Sequence, residues 1–362
     1  MNGTYKFVSQ SQHPMSPMLR ARLDDLQCSG GVGVVDVDTI RIDQIVADGD
    51  LDGLLSAAIL RRVWCDAEVQ FSHPAEIRRG DLDDIINENT AVVDLPFHPH
   101  CGLHIDHHLT NKPTDSQLMD AEKRGCKIIW DAALSAARVC FDTFQDIANL
   151  SDLEQWMGMV DKLDGGKISS EEFLSDDPIV WIGRTMDASD VELCNLLLEQ
   201  ITMGASPEEL VKVGGVSEKI ELAKDEFSRL QAMIDSCSKI DDRMAIVRLD
   251  GKGVRTNGYL ITAHFGAECD ACIIIHGNEH SDENSWPLSA SFYSNSFLHK
   301  EGGLFDLTRM ATAFDVDGGG HANACGCRIQ PLSDSGVVEE REVNLEDVQK
   351  NIQAWMDTWK SR

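Results

Sequence analysis

Ile42-Asp43-Gln44-Ile45-Val46-Ala47-Asp48-Gly49-Asp50-Leu51-Asp52-Gly53-Leu54 decides the fold. The apolar stretch Ile42–Ala47 predicts a strand. A helix over Leu54–Trp64 follows, with Leu54, Leu55, Ala58, Ile59 and Val63 along one side. Between them stand three carboxylates in five residues. Carboxylates this close repel one another, so they belong either to a solvated acidic turn or around a hard divalent cation with oxygen ligands. Their place beyond the carboxyl end of a strand is where open α/β sheets bind ligands.

Further strands are expected at Val69–Ser72, Ala91–Asp94 and Leu103–Asp106, and helices at Ala133–Phe144 and Asp152–Lys162. The alternation predicts a mostly parallel sheet flanked by helices. Two of these strands also end in candidate ligands: Asp94, and Asp106-His107-His108. Imidazole binds ions such as Mn²⁺, and a neighbouring carboxylate fixes its tautomer. Asp161 and Asp164 follow near the end of a helix. Either suits a ligand, although Asp164, at a glycine turn, reads better as surface charge.

An EF-hand loop beginning at Asp48 needs a glutamate at its twelfth position, which is Ile59, so that reading is excluded. A His-x-His-x-Asp-His metal motif would require histidine at Gly102, and fails. A phosphatase of the haloacid dehalogenase type, with Asp50 as nucleophile and Asp52 as acid, remains a minor alternative.

Glu218–Ser236 predicts a long amphipathic helix joining two domains. Strands at Met244–Leu249, Ala271–His276, Leu288–Tyr293 and Gly326–Ile329, with helices at Asn257–Phe265 and Leu304–Phe314, predict a second, smaller α/β domain. Val348, Ile352, Trp355 and Trp359 mark an amphipathic tail helix that must dock. The expected divisions are a lead-in over 1–40, a catalytic domain over 41–205, a linker helix over 206–240, a substrate-binding domain over 241–332 and a tail over 333–362.

A chain of 362 residues with 61 Asp and Glu against 32 Lys and Arg carries a net charge of −29. Such a surface disfavours long duplex nucleic acid, whose phosphates need basic partners, and anionic membranes. No apolar run approaches the roughly 18–20 residues of a membrane helix. No export signal is expected, because Ser9, Gln10, Gln12 and His13 break up the N-terminal stretch. Eleven scattered cysteines without such a signal suggest reduced thiols and a cytoplasmic protein. Cys269-x-x-Cys272 and Cys325-x-Cys327 read as strand packing rather than a zinc site.

Taken in order, Asp48-Gly-Asp50-Leu-Asp52-Gly, Asp94, Asp106-His107-His108, Asp161 and Gly318-Gly319-Gly320-His321-Ala322-Asn323 resemble the DHH phosphoesterase family over residues 40 to 330. The resemblance implies two α/β domains with the active site in the cleft between them. It implies a hydrolase using two Mn²⁺ ions, with Mg²⁺ able to replace them. Asp50, Asp52, Asp94, His107 and Asp161 would be ligands, and Asp48 an additional carboxylate. Asp106 and His108 would orient ligands and contact the phosphate. Gly318, Gly319, Gly320, His321 and Asn323 would hold the substrate's phosphate, since glycine backbone lets N–H groups approach an anion closely. Water between the two cations would lose a proton and attack phosphorus in line.

Tyr293 stands where phosphodiesterase branches of the family carry an arginine. A neutral phenol cannot replace a guanidinium, so Arg309 or Lys300 supplies the charge, or the substrate differs. The expected substrate is a very short oligonucleotide or linear dinucleotide. Polyphosphate or pyrophosphate is the alternative within the family, and a non-catalytic metal- or nucleotide-binding regulator is the alternative outside enzymology. A homodimer is one assembly open to it.

Overall fold

Five parallel strands organise the first part of the chain. They are β1 (Gln44–Asp48), β2 (Glu68–Ser72), β3 (Thr90–Val93), β4 (Leu103–Asp106) and β5 (Lys127–Trp130), in the order β2-β1-β3-β4-β5. The computed structural model describes residues 40–277, 288–300 and 302–362, so the expected lead-in, apart from Ile40, lies outside the described residues. Ile45, Val46, Val92, Val93 and Leu103 are wholly buried, as the central strands of a parallel sheet covered on both faces should be. The order in which successive strands are added reverses between β1 and β3, which leaves a crevice beyond their carboxyl ends.

Helix α1 (Leu51–Val63) packs against α2 (Ala136–Phe144) and α4 (Val191–Thr202), and α3 (Glu154–Asp164) packs on α2. Each start is set locally. Asp50 caps α1 by accepting from Gly53 N, Ser135 caps α2 and Asp190 caps α4. β5 and the preceding helix, Asp115–Arg124, were not expected. That helix buries only Ala121, so its apolar periodicity is weak, although Thr114 and Gln117 form a capping box.

Residues through Asp164 together with Ile182–Ser217 form one unit; Gly165–Trp181 and Glu218–Arg362 form the other. Helix α5 (Val216–Cys237) leads into β6 (Ser238–Asp241) and β7 (Met244–Arg248). α6 (Gly258–Phe265), β8 (Ala271–His276), β9 (Ser289–Ser294), α7 (Thr308–Ala311), β10 (Gly319–His321), β11 (Ala324–Arg328) and α8 (Leu345–Lys360) follow. The second sheet runs β10-β11-β9-β8-β7-β6, and only β7 and β8 pair in parallel. Cys269 and Cys272 lie in the core on one face; Cys325 and Cys327 pack with the core on the other. Among the described residues, no helix is long and apolar enough to cross a membrane.

The helix expected over Leu304–Phe314 shrinks to α7. Leu307 N donates to Ala322 O instead of a helical carbonyl, and Asp306 caps Thr308. The tail stripe docks as expected: Val348, Ile352, Trp355 and Trp359 join the core beneath α8. Asp347, at the start of α8, accepts from Leu332 N and Asn344 N and from two Arg341 nitrogens at 2.6 Å each.

The Arg341 guanidinium holds the Asp347 carboxyl down at about 2. Its unfolded value is near 3.9. A depressed carboxylate stabilises the fold fully above its unfolded value and loses that contribution as pH falls toward the folded one. The penalty of Asp347→Asn in urea unfolding should therefore be constant from about pH 7 to 5 and shrink from about pH 4 down to pH 2. A penalty independent of pH over that interval would contradict the pairing.

Candidate metal centre at the strand ends

β1, β3 and β4 are neighbours in space, so Asp48, Asp94 and Asp106 emerge side by side. The turn after β1 is tight. A Cβ on Gly53 would lie 2.2 Å from the Asp48 carbonyl, so only glycine lets α1 begin this close to the strand. Asp94 is buried and holds φ at +59°, a left-handed conformation uncommon outside glycine. Its N–H is fixed to Ile105 O at 3.0 Å.

Three groups of donor atoms converge there: Asp94, Asp106, His107 and His108; Asp52, His107 and Asp164; and Asp48, Asp50 and Asp94. Within each group the atoms lie within 4.8 Å of one another. Asp94 and His107 each belong to two groups. His107 Nε2 is 3.1 Å from Asp164 Oδ2 and 3.7 Å from both Asp52 Oδ2 and Asp94 Oδ1. The two contacts at 3.7 Å are too long for hydrogen bonds, and the one at 3.1 Å is an ion-pair contact. Nε2, Asp94 Oδ1 and Asp106 Oδ2 are all buried without a hydrogen-bond partner. Buried polar atoms are rarely left so. Donors bound to one small divalent ion at about 2.1–2.2 Å sit about 3–3.6 Å apart, close to the spacing around Nε2.

The ring of His107 is held from behind. Its Nδ1 lies 3.2 Å from Ala133 O, which can only accept, so Nδ1 carries the proton and Nε2 faces the carboxylates. Asp52 is anchored too, accepting from Ala136 N and Ala137 N at 2.7 Å each, at the first turn of α2. Asp106 Oδ1 accepts from the backbone N–H of His107 and His108 and pairs with His108 Nδ1 at 2.9 Å.

The electrostatics follow from this crowding. Burial, then the charge of Asp50, pushes Asp48 up to about 6. Burial raises Asp52 and Asp94 strongly, with Asp164 the next cause for Asp52 and Asp52 the next for Asp94. Burial disfavours the His107 imidazolium, but Asp164 and then Asp52 outweigh it and bring His107 up to about 9. Burial also works against ionised Asp106, yet its bonds from His108 hold it below the usual carboxylate range. The bond to Asp106 in turn raises His108. The site is thus a set of mutually strained carboxylates that a divalent cation would relieve, and the donor set of carboxylates with imidazole suits one.

Asp161 is engaged elsewhere. Ser135 Oγ donates to its Oδ1 at 2.7 Å, and Arg138 Nη2 and Nε donate to its Oδ2 at 2.6 and 3.1 Å. Asp164, read from the sequence as surface charge, is the carboxylate beside His107. His73, which the sequence reading left out, lies with Nδ1 3.7 Å from Asp48. Its position directly after β2, a strand end like the others, was the available signal.

In the second unit, β10 and β11 form a hairpin closed by Ala322 and Asn323, with His321 opposite Ala324. Gly320 holds φ at +135°, and a Cβ there would lie 2.7 Å from Ala324 O. A Cβ on Gly318 would meet Ala311 O at 2.3 Å, while Gly319 lies within β10. Ser294 N donates to Asn323 O and Leu307 N to Ala322 O, so the backbone of the tip is pinned while the side chains of His321 and Asn323 stay exposed. Tyr293 also pairs with Ala324, which puts it on the same sheet face as His321 with Ala324 between. Its ring packs at Gly258, where a Cβ would come within 2.2 Å, and burial raises its phenol, so it stays neutral. Arg309 is not brought to that face. It sits on α7, its guanidinium 5.2 Å from the ring of Phe305, which packs against the other core. Lys300 is exposed.

No protein-family model and no curated protein matches the sequence. Solved structures do. A pGpG-specific phosphodiesterase, PggH from Vibrio cholerae, aligns over 88% of this chain and 99% of its own, at 22% identity and a TM-score of 0.68. The DHH domain of a protein assigned to a family of ribosomal proteins aligns over 94% of this chain and 88% of its own, at 10% identity and a TM-score of 0.50. With the parallel sheet, the second mixed sheet and the acidic strand ends all in place, the chain has the fold of the DHH phosphoesterases.

Proposed function

We propose that the protein is a divalent-cation-dependent phosphoesterase that hydrolyses very short oligonucleotides or linear dinucleotides. The observation that carries this reading is the convergence of three donor groups on buried, unpartnered Asp94 Oδ1, Asp106 Oδ2 and His107 Nε2. Asp48, Asp50, Asp52, Asp94, His107 and Asp164 would hold two Mn²⁺ ions, with Mg²⁺ as a substitute, and Asp94 and His107 stand where the groups overlap. When bound, the cations supply Lewis-acid stabilisation of phosphate oxygens and acidify water.

The protein's own groups do the rest. Asp106 fixes His108 and favours its charged form, so His108 can donate a charge-assisted hydrogen bond to a phosphate oxygen. Asp52 fixes the start of α2, and the Ala133 carbonyl on that same connection orients His107. In the second unit, the glycine run with His321 and Asn323 is assigned to the substrate's phosphate. Tyr293 would add an uncharged surface beside it. The likeness to a phosphodiesterase acting on a dinucleotide supports the short substrate, and the net charge of −29 disfavours a long strand. The ten described cysteines are free thiols, which suits the cytoplasm.

The test is hydrolysis by the full chain with Mn²⁺ on pGpG and on polyphosphate, with and without chelator. Turnover of pGpG that disappears on chelation is expected. Activity on polyphosphate alone would transfer the protein to the polyphosphatase reading, and cation binding without turnover would make it a regulator.

The two α3 carboxylates give a second, independent check. Asp164→Asn should weaken Mn²⁺ binding and lower turnover by about 10–100-fold. Asp161→Asn should leave Mn²⁺ affinity nearly unchanged and lower the melting temperature, because it frees Arg138. The reverse ranking in calorimetric Mn²⁺ titrations would return the ligand role to Asp161.

A further inference from the structure

Cys101 and Cys126 stand together at the amino ends of β4 and β5, the ends away from the metal candidates. Their sulfurs are 3.9 Å apart, although 25 positions separate them in the chain. Between them run β4, which carries Asp106-His107-His108 at its far end, and the helix Asp115–Arg124. Both are buried in the core cluster that also holds Val92, Leu95 and Ala121.

The backbone sets this meeting. Lys127 N donates to Gly102 O at 2.9 Å, which continues the β4–β5 pairing one step back. Cys126 is therefore beside Gly102 and diagonal to Cys101. With strands about 4.8 Å apart and about 3.3 Å of rise per residue, the two Cα atoms lie about 6 Å apart. That is inside the roughly 4.4–6.8 Å that a disulfide spans. Cys101 N donates to His98 O at 3.3 Å and Cys126 N to Ala121 O at 2.9 Å, so both backbones are fixed.

The two thiols are not equivalent. Cys126 is 8% exposed and Cys101 2%. Cys126 follows Gly125, the left-handed residue that ends the helix, where an added Cβ would meet nothing within 4 Å, so the pair is approached from that turn. The hydrogen bond from the Cys101 thiol holds the Cys126 thiol below its ordinary value, with Arg124 helping, and the same bond raises Cys101. Burial instead pushes Cys194 and Cys269 up to about 11, and Cys325 and Cys327 up to about 12. A more acidic thiol beside a second cysteine that can resolve its oxidised form is the arrangement that redox-sensing pairs use.

We propose that Cys101 and Cys126 form a peroxide-sensitive dithiol that closes reversibly to a disulfide and braces β4. The Cys126 thiolate attacks one oxygen of hydrogen peroxide. An S–O bond forms, the O–O bond breaks, and the leaving hydroxide takes the proton that Cys126 gave up, which makes one water. Cys101 sulfur then attacks the sulfenic sulfur of Cys126. The S–S bond forms, the S–O bond breaks, and the second hydroxide leaves as water with the Cys101 proton. The two thiols are oxidised and the peroxide is reduced to two waters. The bond encloses β4 in a covalent ring and stabilises the fold by constraining the unfolded chain. The bland counterpart is that the two thiols pack only as small apolar side chains, in which case no bond forms.

The full chain is reduced, freed of reductant and treated with hydrogen peroxide, and the remaining thiols are then blocked in denaturant. Peptide mass mapping without reductant should find Cys101 linked to Cys126, with the link removed by dithiothreitol. The melting temperature should rise by about 5–10 °C on oxidation and fall back on reduction. Cys101→Ser should lose the link and the rise, and leave a sulfenic acid at Cys126 that dimedone traps. Cys65→Ser, at a half-buried thiol of the same unit, should keep both. Mapping of the unsubstituted chain decides the matter even where Cys101→Ser does not fold. Recovery of Cys101 and Cys126 as thiols at a peroxide dose that oxidises Cys65 would overturn the proposal. So would a bond from either one to another cysteine, or a link that leaves the melting temperature unchanged. No metal is added and turnover is not read, so the outcome is separate from that of the hydrolase test.

Discussion

Replacing His107 with alanine is expected to cut pGpG turnover by about a thousandfold or more, equivalent to about 4 kcal/mol of transition-state stabilisation. His107 and Asp94 are the two donors that the groups share. His107 Nε2 lies 3.1 Å from Asp164 and 3.7 Å from Asp52 and Asp94, and His107 belongs to two of the three donor groups. Without it the carboxylates keep their mutual repulsion and lose the imidazole that two of the donor groups share. Mn²⁺ affinity, read by calorimetry, should fall together with kcat. His107 sits at a strand end, so melting temperature in chelator should change little, which separates a lost ligand from a lost fold. Turnover and Mn²⁺ affinity both at wild-type level would mean that the site is misplaced.

Trp355→Ala should destabilise the second unit by about 3–5 kcal/mol. The Trp355 side chain is 1% exposed and meets Phe292 edge-to-face, with centroids 5.0 Å apart at 90°. It anchors α8 to the sheet. Its Nε1 is buried without a partner, so the ring acts through packing alone. Trp355→Phe should then cost far less, about 1–2 kcal/mol. Urea unfolding of the full chain measures both. Equal losses would mean that a polar role of the indole has been overlooked.

The first sheet was legible because its strands carry their chemistry at their ends. Ile45–Asp48, Ala91–Asp94 and Leu103–Asp106 are short apolar runs closed by a carboxylate, and burial on both faces makes such runs visible. β5 was not legible. Lys127–Trp130 is short, and the helix before it is polar on nearly every side. β6 escaped because Ser238 follows Cys237 without a turn residue, so helix passes into strand with no punctuation. The Leu304–Phe314 stretch misled in the opposite sense. Its apolar residues are periodic, but the N–H of Leu307 is taken by the β10–β11 hairpin, a long-range partner that no local pattern reports.

The site divides in the same way. Residue types and their order around Asp48, Asp94 and Asp106-His107-His108 pointed to metal candidates, since a cation relieves the repulsion of carboxylates at adjacent strand ends. The choice between Asp161 and Asp164 could not be read from the chain. They are three residues apart on one helix, and both suit a ligand. What separates them is Arg138 and Ser135, which come from α2 and its cap and claim Asp161, leaving Asp164 to meet His107. Likewise Tyr293 and Arg309 are both plausible phosphate neighbours in sequence, but strand pairing and helix packing send them to opposite faces of one sheet. The sequence by itself therefore determined the fold class and the carboxylates that close its strands, because hydrophobic periodicity acts locally. Only the tertiary structure decided which carboxylate stands beside His107, because that depends on which distant side chain reaches each one first.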